Sequence, residues 1–461
     1  MRDSALGSGQ QSPTSASATL GEVRGPVLYP SHDAYEQERI AFQTAFPHEP
    51  ALIVGAEDAD DVCAAVAHAA ATGLSVAVQA TGHGVTLPQQ GGVLVSTHRM
   101  AGVHIDPERQ EARIAAGVRW YQVIAAAAPY GLAPLSGSSP DVGAVGYILG
   151  GGLGLLGREF GFAADHVRSL DVVTSDARLR TVTATSEPEL FWAFRGGKDH
   201  LGIVTAMTIR LFPVDRVYGG GLFFDVAQAR EVLAEFRGLT TRAPETLNAS
   251  LGMLRCPPLP QVPGALRNRH VLHLRFASTS TSEAAAELIA PFRRIEPVVL
   301  GEIRDMPYSE SGTIYNDPRA PHAYQGSNVL LADFPPEAAE ITRRVCGPAA
   351  PVPVVLDIRH LGGALSRPPA QPNAVGHRDA QYIVRILSPL GNVEVNDVRR
   401  VHHRIMNGLA EWAVGRSANF VYGAVGDGQF EAFHEKPTLM RLRALKEKWD
   451  PQDVFGCIPL A

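Results

Sequence analysis

One histidine stands at the tip of a turn of small residues, Gln79-Ala80-Thr81-Gly82-His83-Gly84. The turn follows an apolar run, 74–78, that reads as a buried strand. A strand that empties into a glycine-containing turn leaves backbone N–H groups unpaired. Such groups form a concave seat for a pyrophosphate. Glycine matters there because a Cβ would keep a ligand away from the backbone. His83 adds a neutral imidazole, which can act as a nucleophile or a proton carrier. By residue type alone its default reading is a solvated or locally hydrogen-bonded turn residue.

The second concentration of unusual residues is 136–161, SGSSPDVGAVGYILGGGLGLLGREFG, which holds nine glycines. Gly150–Gly154 is another candidate anion loop. With Asp171 and Asp176 downstream it invites a nicotinamide-binding reading. Against that, the glycines follow no clean strand, and no regular helical stripe links them to the acids.

The elements that must position these turns form a βαβ start. A strand at 51–54 precedes a helix opened by the acidic run 58–61 and closed at Gly73, and the strand 74–78 follows. Further strands are expected at 92–96, 112–116, 170–173, 179–183 and 202–213, with helices at 120–128 and 187–194. From 217 to about 395 the pattern changes. Strand-like runs at 221–224, 271–276, 354–358 and 380–387 alternate with helices at 227–237, 282–293 and 335–346. That pattern predicts an antiparallel sheet covered by helices. A long helix at 398–414, a strand at 419–422 and a helix at 439–449 end the chain.

Composition bounds the function. Of 461 residues, 45% are hydrophobic and 19% charged, ample for a core. The net charge of -6 argues against a nucleic-acid or anionic-membrane partner. Cys63, Cys256, Cys346 and Cys457 are scattered without CxxC spacing, so no metal site or disulfide framework is expected. No apolar run is long enough for a membrane span. Residues 1–20 read as a disordered tail without a secretory pattern, and a cytoplasmic location is expected.

The segments VAVQATGHG (76–84), SSPDVGAVGYILGGGLG (138–154), LFWAFRGGKDHLGIVT (190–205), NFVYG (419–423) and LRALKEKWDPQDVFG (442–456) occur in one order. In that order the chain resembles the FAD-linked oxidases with a PCMH-type FAD-binding domain, in the berberine-bridge-enzyme-like branch. The resemblance covers about 21–460. It implies an α+β fold: a two-part FAD-binding domain, 21–216 and 396–461, with an inserted antiparallel-sheet substrate domain, 217–395. It implies FAD as cofactor, with His83 bonded to the flavin 8α-methyl. Where many members carry a second, cysteine tether the residue is Ser139, so a single bond is expected. Val142 stands at a position that gates oxygen, and a valine there resembles the oxygen-reactive form.

Toward the cofactor the resemblance points to Thr81, Gly82, His83, Gly84, Ser138, Ser139, Val142, Gly143, Gly146, Gly150, Gly152, Gly154, Gly202, Val204 and Asn419. The base is left open. Phe420 replaces the tyrosine that often fills that role, and Tyr147, Tyr422, Asp357, His360 and Tyr382 are the candidates. Asp357-Ile358-Arg359 reads equally as a surface ion pair, and Tyr382 as a core aromatic. Tyr308, Tyr315 and Tyr324 are expected to shape an aromatic pocket. The function implied is an oxygen-using FAD oxidase that takes hydride from an alcohol, phenol or activated C–H of a small molecule, in secondary metabolism. A flavin-containing cyclase, a flavin-storing protein and a nicotinamide dehydrogenase are the alternatives.

Overall fold

The computed structural model describes residue 20 and residues 22–456, apart from 86 and 424–429. Most of the expected tail, Cys457 and the last residues of the expected C-terminal return lie outside the described residues.

The first sheet has four strands in the order Val27–Leu28, Leu52–Gly55, Val93–Ser96, Val76–Gln79. The last three run parallel. The helix Ala59–Thr72 makes the crossover. Asp58 caps it, its carboxylate accepting from the N–H groups of Asp60 and Asp61. Gly73 ends it in the left-handed region at φ 67°. Val62, Ala65, Val66 and Ala69 form its fully buried stripe. That stripe packs against Val173 and Ile203 of a second, five-stranded antiparallel sheet. The order of this sheet is Val103–Asp106, Glu111–Ala115, Ile203–Arg210, Val167–Val173, Leu179–Val182. Helices Trp120–Ala127, Ala144–Leu149 and Pro188–Phe194 build the adjoining core around buried Trp120 and Phe194.

The third sheet has eight strands and is antiparallel throughout. Its order is Val298–Pro307, Arg216–Asp225, His270–Ser278, Leu247–Arg255, Val355–His360, Tyr382–Pro389, Tyr324–Leu331, Ala413–Gly415. Alternation separates its faces. Leu272, Leu274, Phe276, Leu356, Ile358, Val384 and Ile386 join the buried cluster formed with the covering helices. His273, Arg275, Asp357, Arg359 and Arg385, at the intervening positions, line the large cavity on the other face.

Three expectations need correction here. The helix expected at 398–414 is Val395–Gly408. Its Val398, Val401 and Ile405 bury into the core of the large sheet, and Ala413–Gly415 pairs with that sheet's edge. The return expected from 396 therefore begins only after Gly415. Residues 419–422 are not a strand: Ala418–Phe420 is a 3-10 turn, and Tyr422 makes a single bridge with Gly326. The strands Leu247–Arg255, Val298–Pro307 and Tyr324–Leu331 were not anticipated. After Gly415 the helix Lys436–Trp449 buries Leu439, Leu442 and Leu445 in the first unit, and Val76 donates its N–H to the Val454 carbonyl.

Candidate active site

A cavity of about 1800 Å³ lies between the large sheet and the first unit. That exceeds the usual volume of a single small-ligand pocket, roughly 300–1,000 Å³, and leaves room for a dinucleotide and a substrate together.

The His83 turn forms part of its wall. The turn is strapped to the segment before the first parallel strand: Phe42 and Gln43 donate N–H to the carbonyls of Thr81 and Gly82 at 3.0 and 3.1 Å. Gly82 sits at φ 66°, and a Cβ there would lie 2.4 Å from Ala41 Cβ. Only glycine allows this close approach. The Phe42 ring stacks on the imidazole at 3.8 Å between centroids and 13° between planes. Nδ1 lies 2.8 Å from Thr81 Oγ1, which accepts the Gly143 N–H at 3.3 Å. The threonine hydrogen is then free to point at Nδ1. Nε2 is buried and has no partner. Burial, reinforced by the field of Arg119, lowers the imidazole pKa to about 4, so the ring keeps a nucleophilic lone pair at neutral pH.

Of the expected cofactor residues, Thr81, Gly82, His83, Gly84, Ser138, Ser139, Val142, Gly143, Gly146, Val204 and Asn419 line the cavity. Gly150, Gly152, Gly154 and Gly202 do not. Their smallness serves packing instead. A Cβ at Gly152 would meet the Tyr147 ring at 2.7 Å, and one at Gly154 would meet the Ser136 carbonyl at 2.7 Å. A Cβ at Gly150 would fall 2.0 Å from Asn419 Oδ1, and one at Gly202 2.6 Å from the Val173 carbonyl. The nicotinamide-loop reading also fails on position. The glycine run follows the helix Ala144–Leu149, and the carboxylates of Asp171 and Asp176 are engaged by Arg113 and Arg180.

The base candidates separate clearly. Tyr147 faces the cavity, but its hydroxyl is buried without a partner and burial holds its pKa well above the ordinary value. Its backbone carbonyl accepts from Asn419 Nδ2 at 2.7 Å, so it is better read as a wall residue than as a base. Tyr382 lies in the core under the large sheet, bonded to Thr240 Oγ1 at 2.7 Å. His360 lies outside the cavity, its Nε2 3.0 Å from Arg158 Nη1, and burial lowers its pKa to about 3. Asp357 does face the cavity, but as the centre of an ion cluster. It accepts from Arg275 Nη1 at 2.8 Å, Arg359 Nε at 2.7 Å and Arg385 Nη1 at 3.1 Å. Burial pushes its carboxyl up, yet the three guanidiniums outweigh this and hold it well below the usual range. It is a structural anion and not a proton acceptor. Tyr422 remains. It lines the cavity with its ring edge-on to Tyr324 at 5.3 Å, and among the described residues its hydroxyl has no hydrogen-bond partner.

Of the expected aromatic pocket, Tyr315 and Tyr324 line the cavity. Tyr308 does not: its hydroxyl donates to the Pro134 carbonyl at 2.9 Å within the core. Sequence reasoning missed Phe42 and Lys198. Lys198 Nζ donates to Asn419 Oδ1 at 2.7 Å on the cavity wall, and burial lowers its pKa to about 8. A lysine among RGGKDH glycines carries little signal of burial. Phe42 lies far upstream of the turn it covers.

The site fits FAD on its own chemistry. It offers a neutral buried imidazole, a hydroxyl and imidazole nitrogen left without partners, and Gly84 and Gly146 facing open space where a Cβ would meet nothing within 4 Å. A family profile described as an FAD binding domain matches residues 50–183. The chain is 31% identical over 233 residues to the (R)-6-hydroxynicotine oxidase of Paenarthrobacter nicotinovorans, covering 50% of each. It spans half or less of the length of the first curated relatives it matches. Among solved structures, the BBE-like 1 protein of Physcomitrella patens superposes with a TM-score of 0.81 at 19% identity, over 96% of this chain and 98% of that one. The glucooligosaccharide oxidase of Acremonium strictum, described with 6-S-cysteinyl, 8α-N1-histidyl FAD, gives 0.80 at 18%, over 94% and 96%. These two likenesses concern the fold.

Fold and site together define a flavoprotein with FAD as cofactor. Residues 50–183 match the FAD-binding domain family, and the whole chain shares the fold of the berberine-bridge-enzyme-like and oligosaccharide oxidases it superposes on. No helix among the described residues is long and apolar enough to cross a membrane.

Proposed function

We propose that the protein is an oxygen-using FAD oxidase that takes hydride from an alcohol, phenol or activated C–H of a small organic molecule, with its flavin tethered once, through His83. The observation that carries this is the setting of His83: a buried imidazole, fixed by Thr81 and stacked on Phe42 with Nε2 unpartnered, on the wall of a dinucleotide-sized cavity. Ser139, on the same wall, offers no thiol for a second bond.

Bound FAD supplies the hydride acceptor and passes the electrons on to oxygen. The protein's part is positioning and proton handling. Thr81 Oγ1 orients the imidazole. Lys198 and Asn419 brace the helix end that carries Tyr147. Tyr422 is the group we assign to the substrate proton, taken at its oxygen after the hydroxyl has released its own proton to solvent, because it faces the cavity with that oxygen uncommitted. Val142, also on the wall, suits access of oxygen. A role in secondary metabolism and a cytoplasmic location complete the proposal. They rest on the family resemblance and on the free thiols of Cys63, Cys256 and Cys346. Relatives named as oxidases do not favour the cyclase alternative.

The test is acid precipitation followed by a denaturing gel under ultraviolet light. The wild-type band is expected to fluoresce, and the His83→Ala band to lose that fluorescence. A yellow supernatant over a colourless wild-type precipitate would remove the tether from the proposal.

A further inference from the structure

The cavity face of the large sheet carries a charge imbalance that the flavin chemistry does not use. Asp357 is met by three guanidiniums, those of Arg275, Arg359 and Arg385. All four side chains line the cavity. The register builds the cluster. Asp357 lies opposite Arg385 on one side and opposite Gly252 on the other. Arg275 and Arg359 both lie opposite Ser250. Because position 252 has no side chain, Arg275 crosses it to reach Asp357, and a Cβ there would sit 2.8 Å from both of its terminal nitrogens.

Aromatic rings fix the forks in plane. Tyr315 lies under the guanidiniums of Arg275 and Arg359 at 4.6 and 4.7 Å, and Phe420 under those of Arg359 and Arg385 at 5.3 and 4.4 Å. Rings hold the planes but do not cancel the charge. The groups around the cluster do not cancel it either. His273 accepts from Arg275 Nε at 3.1 Å, and burial keeps it neutral. Asp317 is the next acid on the wall, bonded to Ser138 at 2.6 Å. Three positive charges against two negative ones still leave a net positive wall. Arg359 Nη2 and Arg385 Nε have no hydrogen-bond partner.

The cluster stands at the His83 end. The field of Asp317 acts on both His83 and Arg359, and that of Arg359 reaches Tyr147. A buried excess of arginine is costly unless an anion completes it, and planar forks match a carboxylate.

We infer that the substrate carries a carboxylate, docked against Arg359 and Arg385 with its carbon skeleton over Phe420 and Tyr315. This deepens the oxidase reading and rests on it for the position of the ring.

The test is calorimetric titration of the purified holoenzyme with benzoate and with its neutral isostere benzamide. It is repeated on Arg385→Gln and Arg385→Lys, which leave two arginines on Asp357. Benzoate is expected to bind at least about tenfold more tightly than benzamide, with the preference lost in Arg385→Gln and largely kept in Arg385→Lys. Equal binding of the two probes, or no binding of either at millimolar concentration, overturns the inference. So does a preference untouched by Arg385→Gln, or one that disappears only because that variant loses its flavin. Inorganic phosphate competing where benzoate does not would mark a phosphate subsite and overturn the carboxylate. Flavin content is read from the visible absorbance of the same samples. A colourless preparation therefore counts against the flavin reading, while the calorimetry still reports the anion preference.

Discussion

Tyr324 donates its hydroxyl hydrogen to the backbone carbonyl of His83 at 2.8 Å. A residue on the large sheet thus holds the turn that belongs to the parallel sheet. Domain docking and the proposed flavin anchor are joined at one hydrogen bond.

Removing that bond tests the joint. Tyr324→Phe keeps the ring packing on Tyr422 and deletes the donor. The expected cost is about 1 kcal/mol of stability, read from denaturant unfolding. A lower fraction of flavin retained after acid precipitation should accompany it. Full retention would mean that the turn is positioned by Phe42 and Gln43 alone.

The Asp357 cluster makes stability acid-sensitive. Its carboxyl is held well below the usual range in the folded chain, against about 3.9 when unfolded. A depressed carboxyl gives stability that is fully present above the unfolded value and is lost as pH falls through the folded one. Melting temperature should therefore gain nothing from this group above about pH 5 and fall below about pH 4. Asp357→Asn should lose roughly 3–5 kcal/mol at neutral pH, because three guanidiniums are left without their anion, and its acid slope should flatten.

Two glycines should behave oppositely. Gly152 sits at φ 77° with a Cβ position 2.7 Å from both Ala163 Cβ and the Tyr147 ring, whereas at Gly84 a Cβ would meet nothing within 4 Å. Gly152→Ala is expected to cost at least about 1–3 kcal/mol. Gly84→Ala should unfold normally yet bind FAD less tightly, as a methyl enters the cavity. Thermal melts of apoprotein together with flavin titration separate the two.

Ser139 lines the cavity within the segment that contacts the turn. Ser139→Cys places a thiol there. In the His83→Ala, Ser139→Cys double variant, flavin is expected to stay with the acid precipitate; full release would show that position 139 does not reach the ring.

The parallel unit was legible because its signals are local. Asp58, the stripe Val62–Ala69 and Gly73 bound a helix without outside help. The His83 turn was legible for the same reason, as a strand running into glycines. What sequence misjudged depends on long-range partners. Asp357 read equally as a base candidate and as half of a surface pair with Arg359, because nothing near them announces Arg275, 82 residues away. The helix Val395–Gly408 was assigned to the wrong unit because an amphipathic stripe does not say which sheet it covers. The glycines of 150–154 were taken for a ligand seat, since a turn emptied for a phosphate and one emptied for a tyrosine ring look alike in sequence.

Position 252 carries a hydrogen where its neighbours on the sheet carry side chains, and through that gap one strand's arginine reaches an acid two strands across. A single added methyl would press on the guanidinium and part it from the carboxylate while leaving the chemistry of both groups unaltered, and would redistribute charge along the whole wall. The electrostatic character of the chamber is therefore governed from a residue that has no chemistry of its own.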